Sequence, residues 1–510
     1  MSETVSLTGD RLTLEDLVAV ARRGFRVSLA PEAVERVEAA RAVIDAAVAE
    51  GRVVYGVTTG FGKFSDVVIP REKLPELQLN LVRSHAAGVG EPLPEETVRA
   101  LVLLRANCLA KGFSGVRAAT IERLVALLNV GVHPLVPSRG SVGASGDLAP
   151  LAHLALALVG EGEAFWAGRR RPAAEALRAA GLAPVRLEAE EGRALINGTQ
   201  FTTAVGALAL ARLLRLLQTA DLVAAMTTDA LKGTDAAFDA RIHSARPHPG
   251  QAASAANLRF LLRGSQIRES HRGCPEVQDA YALRCAPQVH GAVRDAAAHA
   301  RRVVETEMNS ATDNPMVFSG PEPGRGEVVS GGNFHGAPVA LAFDLLAAAS
   351  ADLASISERR TERLVNPSLS RDLPAFLVRE GGLHSGLMMV HVTAAALVSE
   401  CKANAFPASV DSIPTSAGKE DHVSMGPIAA RKLARNVEMA ETVLAIELLA
   451  AAQALDLRRP LRSSEILEEA HRRLREKVPF WEADRAAAPA IEGAHAVLAE
   501  GLHDLVGSLS

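Results

Sequence analysis

The chain is poor in cysteine and in aromatic residues. Its four cysteines (Cys108, Cys274, Cys285 and Cys401) are scattered through 510 residues and include no Cys-x-x-Cys pair. This spacing excludes a disulfide framework and suits a reducing compartment. Aromatic residues make up only 4% of the sequence, whereas alanine and leucine are abundant. Because strands enrich aromatic and β-branched residues, the composition predicts a mainly α-helical protein.

A strong charge of either sign and a targeting segment are also missing. The 55 Lys and Arg against 59 Asp and Glu leave a net charge of −4, and the longest basic run, Arg169–Arg171, predicts a solvated loop. Nucleic acid is therefore not expected as a partner. The polar N-terminus has no signal-peptide pattern, and Asp344 and Asp352 interrupt the long apolar stretch 337–356. We expect a cytoplasmic protein with no membrane contact and, lacking an HExxH motif, no metal site.

Long stretches without proline dominate the second half of the chain. Their length predicts a large bundle of long helices, or helices that extend into partner subunits. We expect three parts: 1–203 as a smaller mixed N-terminal part, 204–460 as the central bundle, and 461–510 as capping helices. The five longest predicted helices are Ala204 to Lys232, Gly291 to Asn309, Val339 to Val365, Leu387 to Ala405 and Ala429 to Leu455.

The segment Gly140–Pro150, with the sequence GSVGASGDLAP, is a glycine-punctuated loop that leads into a helix. Asp147 is a plausible N-cap for a helix over Leu148–Leu158. Local spacing alone favours a tight turn. A phosphate-binding loop would need a Lys-Ser/Thr ending, and a serine-nucleophile elbow would need a glycine at 147 and an α/β pattern around it.

The chain contains only two tyrosines, Tyr55 and Tyr281. Both lie in glycine-rich or polar segments rather than among the apolar residues that carry most of the 14 phenylalanines. For each tyrosine, the alternative is a purely structural role, with a buried ring whose hydroxyl is hydrogen-bonded. We favour a role in a functional site for both.

Between about residue 50 and residue 460 the sequence resembles the aromatic amino-acid ammonia-lyases. Seven motifs occur in that family's order, in addition to GSVGASGDLAPLAH at 140–153. They are YGVTTGFG at 55–62, SHAAG at 84–88, NGTQ at 197–200, VQDAYALRC at 277–285, TDNP at 312–315, GGNFHG at 331–336 and EDHVSMG at 420–426.

The resemblance implies a built-in electrophile and a set of catalytic residues. Ala144, Ser145 and Gly146 would cyclise and lose water to give 4-methylidene-imidazol-5-one (MIO), which needs no dissociable cofactor. Because Gly146 has no Cβ, its nitrogen can approach the Ala144 carbonyl closely. Tyr55 is the implied base for the β-proton, and Tyr281 supports the electrophile and ammonia release. The implied fold is the helical one shared with fumarase-like enzymes.

The same resemblance implies the substrate-binding residues. Arg284 would bind the substrate carboxylate through its planar fork, and Phe334 would pack beside the ring. Asn197 and Gln278 would hydrogen-bond the MIO oxygen and the substrate. His85 and Glu420 stand where histidine-specific members carry a Ser-His pair and a Glu-Asp-His segment, and both can hydrogen-bond an imidazole.

These residues together predict elimination of ammonia from L-histidine to give trans-urocanate, the entry to histidine degradation. The family's homotetramer would share each active site among three subunits. The alternatives are a tyrosine or phenylalanine ammonia-lyase or aminomutase, and a non-catalytic helical scaffold. The chain departs from the pattern of histidine-specific members at Lys419, Phe406 and Cys401.

Overall fold

The computed structural model describes residues 3–61, 64, 66–274 and 277–507. Helices account for 59% of the chain, which confirms the predicted mainly α class. The nine strands of the described part are β1 Thr4–Leu7, β2 Arg26–Leu29, β3 Val89–Pro92, β4 Val132–Pro134, β5 Pro137–Arg139, β6 Glu163–Trp166, β7 Arg169–Pro172, β8 Met316–Ser319 and β9 Gly326–Val329.

The helices include four of more than 20 residues. In chain order they are α1 Leu14–Arg23, α2 Pro31–Ala49, α3 Leu74–His85, α4 Glu95–Ala110, α5 Ala118–Val130, α6 Leu148–Leu158, α7 Ala173–Ala179, α8 Glu191–Ile196, α9 Gln200–Ala230, α10 Ala240–Ser244, α11 Pro249–Leu261, α12 Gln266–Ser270, α13 Tyr281–Arg284, α14 Ala286–Met308, α15 Ala337–Val365, α16 Met388–Asn404, α17 Gly426–Leu457, α18 Glu465–Lys477, α19 Ala488–Ala496 and α20 His503–Val506.

The five long helices predicted from the sequence are α9, α14, α15, α16 and α17, and each bound lies within five residues of its prediction. At about 1.5 Å per residue, α9 and α17 are each about 45 Å long or slightly more. Leucine and alanine fill these two helices, and no proline interrupts their interiors, so propensity and pattern agree. The N-terminal part begins with two helices, of which α1 has a capping box of Thr13 and Asp16 and α2 has Pro31 at its start.

The chain consists of two compact units, each held together by contacts among its own residues. The first contains Met1–Leu208, Arg301–Phe343 and Pro407–Arg431, and the second contains Ala209–Ala300, Asp344–Phe406 and Lys432–Ser510. The boundaries fall inside or beside long helices, so no linker marks them in the sequence. The division into 1–203, 204–460 and 461–510 stays a prediction about chain organisation, although its first boundary lies five residues from that of the first unit.

All nine strands of the described part lie in the first unit and form four small sheets. Strands β1 and β2 pair in parallel, β3 pairs with β5, β4-β6-β7 form an antiparallel sheet, and β8 pairs with β9. Arg169–Arg171 forms most of β7, paired with β6, so the predicted loop is wrong. Arg169 and Arg170 are exposed as expected, whereas Arg171 is half-buried over the Trp166 ring. The Arg170 guanidinium bonds Glu163 across the pair, which lets the arginine run sit on an exposed strand.

The second unit is held by buried polar side chains as well as apolar packing. Glu447 on α17 accepts hydrogen bonds from Arg360 and Ser357 on α15 and from Thr227 on α9. Asp221 on α9 accepts from His290 on α14 at 2.7 Å. Burial alone would raise the pKa of Asp221, but the His290 hydrogen bond and neighbouring cations lower it to about 2. These contacts fix the register of four helices.

Helix α15 is the one described helix long and apolar enough to cross a membrane, by length and composition only. However, 61% of the most apolar 18-residue stretch of this helix is buried inside the protein. Arg360 on this helix is also buried and ion-paired with Glu447. The helix therefore has the burial pattern of a core helix.

Candidate active site

A tight turn after α2 positions Tyr55. Gly56 has φ +70°, and its N–H donates to the Thr59 hydroxyl at 3.1 Å, while Thr58 Oγ1 accepts from the Val54 N–H at 2.8 Å. Val57, the next apolar residue, is fully buried in the cluster that includes Val43 and Ile44 of α2. Val57 thus anchors the turn in the core, and Tyr55 lies half-buried at the wall of a cavity. Gly62 of this motif lies outside the described residues.

The Ala144-Ser145-Gly146 loop lies between β5 and α6 and is clamped by backbone contacts. Gly146 has φ +73°, and a Cβ there would come within 2.3 Å of the Gly198 carbonyl oxygen. On the other side, Ser424 Oγ donates to the Gly143 carbonyl at 3.1 Å. Ala144 and Gly146 are buried, whereas Ser145 is half-buried and faces the cavity. Glycine is thus required at position 146, where this loop and the backbone of Gly198 approach each other most closely.

Asp147 occupies the N-cap position of α6, but its side chain does not cap that helix, so the predicted capping role is wrong. Its two oxygens accept instead from the backbone N–H and the hydroxyl of Thr202, both at 2.8 Å, in the first turn of α9. Burial raises the pKa of Asp147 to about 7, despite these hydrogen bonds. The residue therefore ties the loop to the start of α9.

One cavity of about 630 Å³ in the first unit brings the predicted residues together. Tyr55, His85, Ser145, Asn197 and Glu420 all line it. These residues come from five separate stretches of sequence. The rest of the lining consists of apolar side chains and a few further polar ones, namely Gly60, Phe61, Phe64, Val67, Ile69, Leu77, Leu81, Ser84, Leu148, Arg193, Ile196, Asn314 and Ser416.

Glu420 is held by two hydroxyl groups. Ser145 Oγ donates to its Oε1 at 2.8 Å, and Thr415 Oγ1 donates to its Oε2 at 2.7 Å. A bridge between the backbones of Thr415 and Glu420 closes the short turn around Lys419. Lys419 itself is exposed, whereas Glu420 is half-buried. The carboxylate is therefore oriented toward the predicted MIO loop.

His85 is the last residue of α3 and is fixed through one ring nitrogen. Its Nδ1 lies 2.9 Å from the Leu81 carbonyl oxygen and 3.0 Å from Ser84 Oγ. A carbonyl can only accept, so we assign the proton to Nδ1 in the neutral ring. The other nitrogen, Nε2, is then a hydrogen-bond acceptor.

Asn197 is positioned by a buried arginine. Arg105 Nη1 donates to the Asn197 carbonyl and to Gln200 Oε1, both at 2.7 Å. The Asn197 side chain donates through Nδ2 to the Asn314 carbonyl at 3.2 Å. Its Oδ1 is buried and has no hydrogen-bond partner among the described residues. A buried polar atom without a partner at a cavity wall is typical of a site that binds a polar group.

The sequence reasoning missed Arg193, which packs against the Tyr55 turn. A Cβ on Gly56 would lie 2.9 Å from Arg193 Cδ, so the glycine makes room for this side chain. The guanidinium donates to Asp313 at 3.0 Å and forms an ion pair with Glu190. Burial lowers the pKa of Arg193, although Asp313 and Tyr55 oppose this. The sequence signal for this residue was an arginine directly before three apolar residues, in the run RALI at 193–196.

Three predicted residues, Gln278, Tyr281 and Arg284, belong to the second unit and do not line the cavity. Asp279 anchors their segment, since it accepts from the Thr234 N–H at 2.6 Å and from Arg371 at 2.9 Å. Gln278 is exposed, and Tyr281 is 71% exposed with the Arg284 guanidinium 4.8 Å from its ring centre. The segment thus presents its functional groups outward.

Phe334 is half-buried in the first unit and is not among the residues that line the cavity. The next residue, His335, stacks its ring on that of His422 with centres 5.7 Å apart. The role predicted for Phe334 stays a prediction. Among the described residues, no three His, Cys, Asp or Glu side chains are grouped as metal ligands would be.

Comparison with known proteins identifies the family to which this fold belongs. The sequence profile described as "Aromatic amino acid lyase" matches residues 12–476. The chain belongs to the aromatic amino acid lyase family. Its relatives include the histidine ammonia-lyase of Anaeromyxobacter sp. (strain K), 58% identical over 98% of this chain and 99% of the relative. The human histidine ammonia-lyase is 54% identical over 97% of this chain and 76% of its own length.

Solved structures agree with this assignment. A histidine ammonia-lyase from Trypanosoma cruzi superposes with a TM-score of 0.92 at 46% identity, covering 99% of this chain and 95% of that one. A tyrosine aminomutase from Streptomyces globisporus has a TM-score of 0.93 at 38% identity, covering 99% of each chain. The predicted family and long-helix fold are thereby confirmed.

Proposed function

We propose that this protein eliminates ammonia from L-histidine to give trans-urocanate, the first step of histidine degradation. Near full-length similarity to histidine ammonia-lyases supports the reaction and the substrate. The observation that carries the proposal is a single cavity lined by Ser145 of the loop, by Tyr55, and by the two imidazole-binding candidates His85 and Glu420.

Ala144, Ser145 and Gly146 would form the MIO group, and the residues around them fit it. Gly146 and Gly198 allow the backbone approach that a side chain would block. The Asn197 Nδ2 amide can donate to the oxygen of the group, and the buried, unpartnered Oδ1 can accept a hydrogen bond from the substrate. Asn197 and Gln278 would hold the group through their amides. When formed, MIO supplies an electrophile that turns the substrate amine into a better leaving group.

The remaining roles are those that the family resemblance implies. Tyr55, on its anchored turn at the cavity wall, would take the β-proton. Arg284 would bind the substrate carboxylate bidentately, and Tyr281 would assist departure of ammonia. Phe334 would pack beside the substrate. None of these roles requires a metal or a dissociable cofactor.

The polar end of the cavity suits an imidazole. His85 Nε2 and the Glu420 carboxylate are both acceptors, so either can accept a hydrogen bond from the N–H of the substrate imidazole. A phenyl ring offers no such donor, so His85 Nε2 would gain no hydrogen bond from the substrate and Glu420 would keep only the hydroxyl contacts it already has. Because unpaired buried polar groups are costly, the site discriminates against phenylalanine.

We also propose a homotetramer in which partner subunits complete each site. Gln278, Tyr281 and Arg284 lie on an outward-facing segment that also exposes 93% of Val277. Helix α16 exposes further apolar side chains, with Met389 61% and Val392 47% exposed. Exposed apolar surface of this kind is typical of subunit interfaces. No nucleic acid or membrane takes part.

A cytoplasmic location is part of the same proposal. The four cysteines are free, as expected in a reducing compartment. The long apolar helix α15 is mostly buried within the protein.

The proposal is tested with the purified protein and its Ser145→Ala variant. Urocanate formation is followed by ultraviolet absorbance, and ammonia is measured in parallel. We expect turnover of L-histidine by the unaltered protein and a loss of nearly all turnover in the variant, with unchanged helix content. Equal turnover in both proteins would refute the MIO mechanism. No turnover in either would favour the scaffold alternative.

A further inference from the structure

The contact between Ser145 and Glu420 involves a hydroxyl that the proposed MIO group no longer contains. Ser145 Oγ lies 2.8 Å from Glu420 Oε1, in the chain before any ring has formed. Ring formation removes this oxygen as water. The contact therefore belongs to the immature protein, whereas imidazole binding by Glu420 belongs to the mature one.

We propose that Glu420 has a second function, as the proton-transfer group for dehydration of Ser145 during MIO formation. This inference rests on the proposed function, because it concerns the same MIO group. It adds a maturation step to the substrate-binding role of Glu420. Thr415, which bonds the other carboxylate oxygen, becomes the positioning residue for that step.

The step balances without an outside reagent. Once the Gly146 nitrogen has bonded to the Ala144 carbonyl carbon and that carbonyl oxygen has left as water, Ser145 still carries its hydroxyl. The Ser145 Cα–H bond then breaks, its electron pair forms the Cα=Cβ bond, and the Cβ–Oγ bond breaks. Glu420 begins as a carboxylate that accepts from Ser145 Oγ. It takes up, through solvent, the proton released from Cα and passes it to Oγ, so the oxygen leaves as water and the carboxylate is regenerated. The net loss in this step is one water molecule.

Neighbouring carboxylates are committed to other hydrogen bonds. Asp147 uses both oxygens on Thr202, and Glu307 accepts from the Thr199 hydroxyl at 2.5 Å. Glu420 is the carboxylate that bonds Ser145 Oγ among the described residues. An acid acts in proton transfer when it lies about 2.6–3.2 Å from the atom it serves. Glu420 meets that requirement.

The inference is tested by mass spectrometry, which reads ring formation without any activity measurement. Trypsin cleavage after Arg139 and Arg169 releases a peptide that contains residues 140–169. Loss of two waters makes the ring-containing peptide about 36 Da lighter. The ring-containing fraction is followed over time after a short pulse of expression, in the unaltered protein and in the variants Glu420→Gln and Thr415→Val.

We expect ring formation to slow about tenfold or more in Glu420→Gln and to slow less in Thr415→Val, as loss of a proton donor and of one hydrogen bond predict. His85→Ala is the matched control, because His85 lines the same cavity without bonding Ser145. It should form the ring at the normal rate. Helix content, measured by circular dichroism, should be unchanged in all three variants.

The outcomes separate this inference from the proposed function. If the peptide from the unaltered protein is not about 36 Da lighter, it has not lost two waters and the MIO proposal itself fails. If the unaltered protein shows the loss and Glu420→Gln forms the ring equally fast, only the second function of Glu420 is refuted. If His85→Ala slows ring formation as much as Glu420→Gln, the effect belongs to the cavity in general, and the specific role is likewise refuted.

Discussion

Gly146 lies directly against the backbone of Gly198, and a Cβ on Gly146 would approach the Gly198 carbonyl oxygen to 2.3 Å. The Asp147 N–H donates to this same oxygen at 2.7 Å. Two glycines that are 52 positions apart in the sequence thus form one structural unit. This contact holds the loop against the segment that leads into α9. Because a tripeptide cyclises only when its ends are close, we expect the contact to favour the proposed cyclisation.

Substitution of Gly198 by alanine should therefore damage both stability and ring formation. Gly198 has φ +151°, and a Cβ would lie 2.4 Å from Gln200 Oε1 and 2.6 Å from Arg105 Nη1. We expect a loss of about 2 kcal/mol or more in unfolding free energy, measured by urea denaturation. Gly381→Ala is the control, because nothing lies within 4 Å of its Cβ position. Equal stability of the two variants would contradict this account.

The buried Asp147 should give the protein a distinctive pH dependence. Its pKa is about 7 in the folded protein, above the unfolded value of about 3.9. Between these values the native state holds a proton that the unfolded state has lost, so this contribution to stability falls as pH rises. The difference in unfolding free energy between the unaltered protein and Asp147→Asn should fall by about 1.4 kcal/mol per pH unit from about pH 4 to 7. A difference that is constant with pH would refute the raised pKa.

The buried ion pair in the second unit should be far more important than an exposed pair. Arg360 and Glu447 are both fully buried, with Nη2 and Oε2 2.8 Å apart. Arg360→Met leaves the carboxylate buried without its cation, which should cost about 3–5 kcal/mol. Arg170→Met, which breaks the exposed pair with Glu163, should cause little or no measurable loss, because solvent screens that pair. Urea denaturation of both variants checks the contrast, and similar losses would contradict it.

The proposed sharing of active sites between subunits predicts that two inactive variants can restore each other. Tyr55→Phe damages the cavity side of a site, and Arg284→Met damages the side proposed to come from a partner. Co-expression should give mixed tetramers in which some sites are intact, so a fraction of histidine turnover should return. Tyr55→Phe mixed with Ser145→Ala is the control, since both residues line the cavity of one chain and no intact site can form. Recovery in the control, or none in the test pair, would refute the shared sites.

Much of the fold could be predicted from the sequence because its longest helices are uninterrupted. Alanine and leucine repeat over more than 20 residues in α9, α15 and α17, where propensity and pattern point the same way. The boundaries of the two units could not be predicted, because they fall inside or beside such helices rather than in linkers. The strand formed by Arg169–Arg171 was missed because its stability depends on pairing with β6.

Site residues that lie in sequence motifs could be predicted, whereas those positioned by contacts with distant parts of the chain could not. His85 and Glu420 were identified from their motifs, and the structure places both at one cavity with Tyr55 and Ser145. The side-chain partners of Asp147 were not, because position before a helix suggested a cap for α6 and Thr202 is 55 residues away. Arg193 carried no motif, and its burial is compensated by Asp313, which is distant in sequence.

The most direct test of the central claim is a parallel ultraviolet assay of the purified protein with L-histidine, L-tyrosine and L-phenylalanine. Each product is a conjugated acrylate with its own absorbance, and released ammonia gives a second measurement. The account predicts urocanate from histidine and little or no product from the other two. Coumarate or cinnamate as the main product, without urocanate, would contradict the roles given to His85 and Glu420.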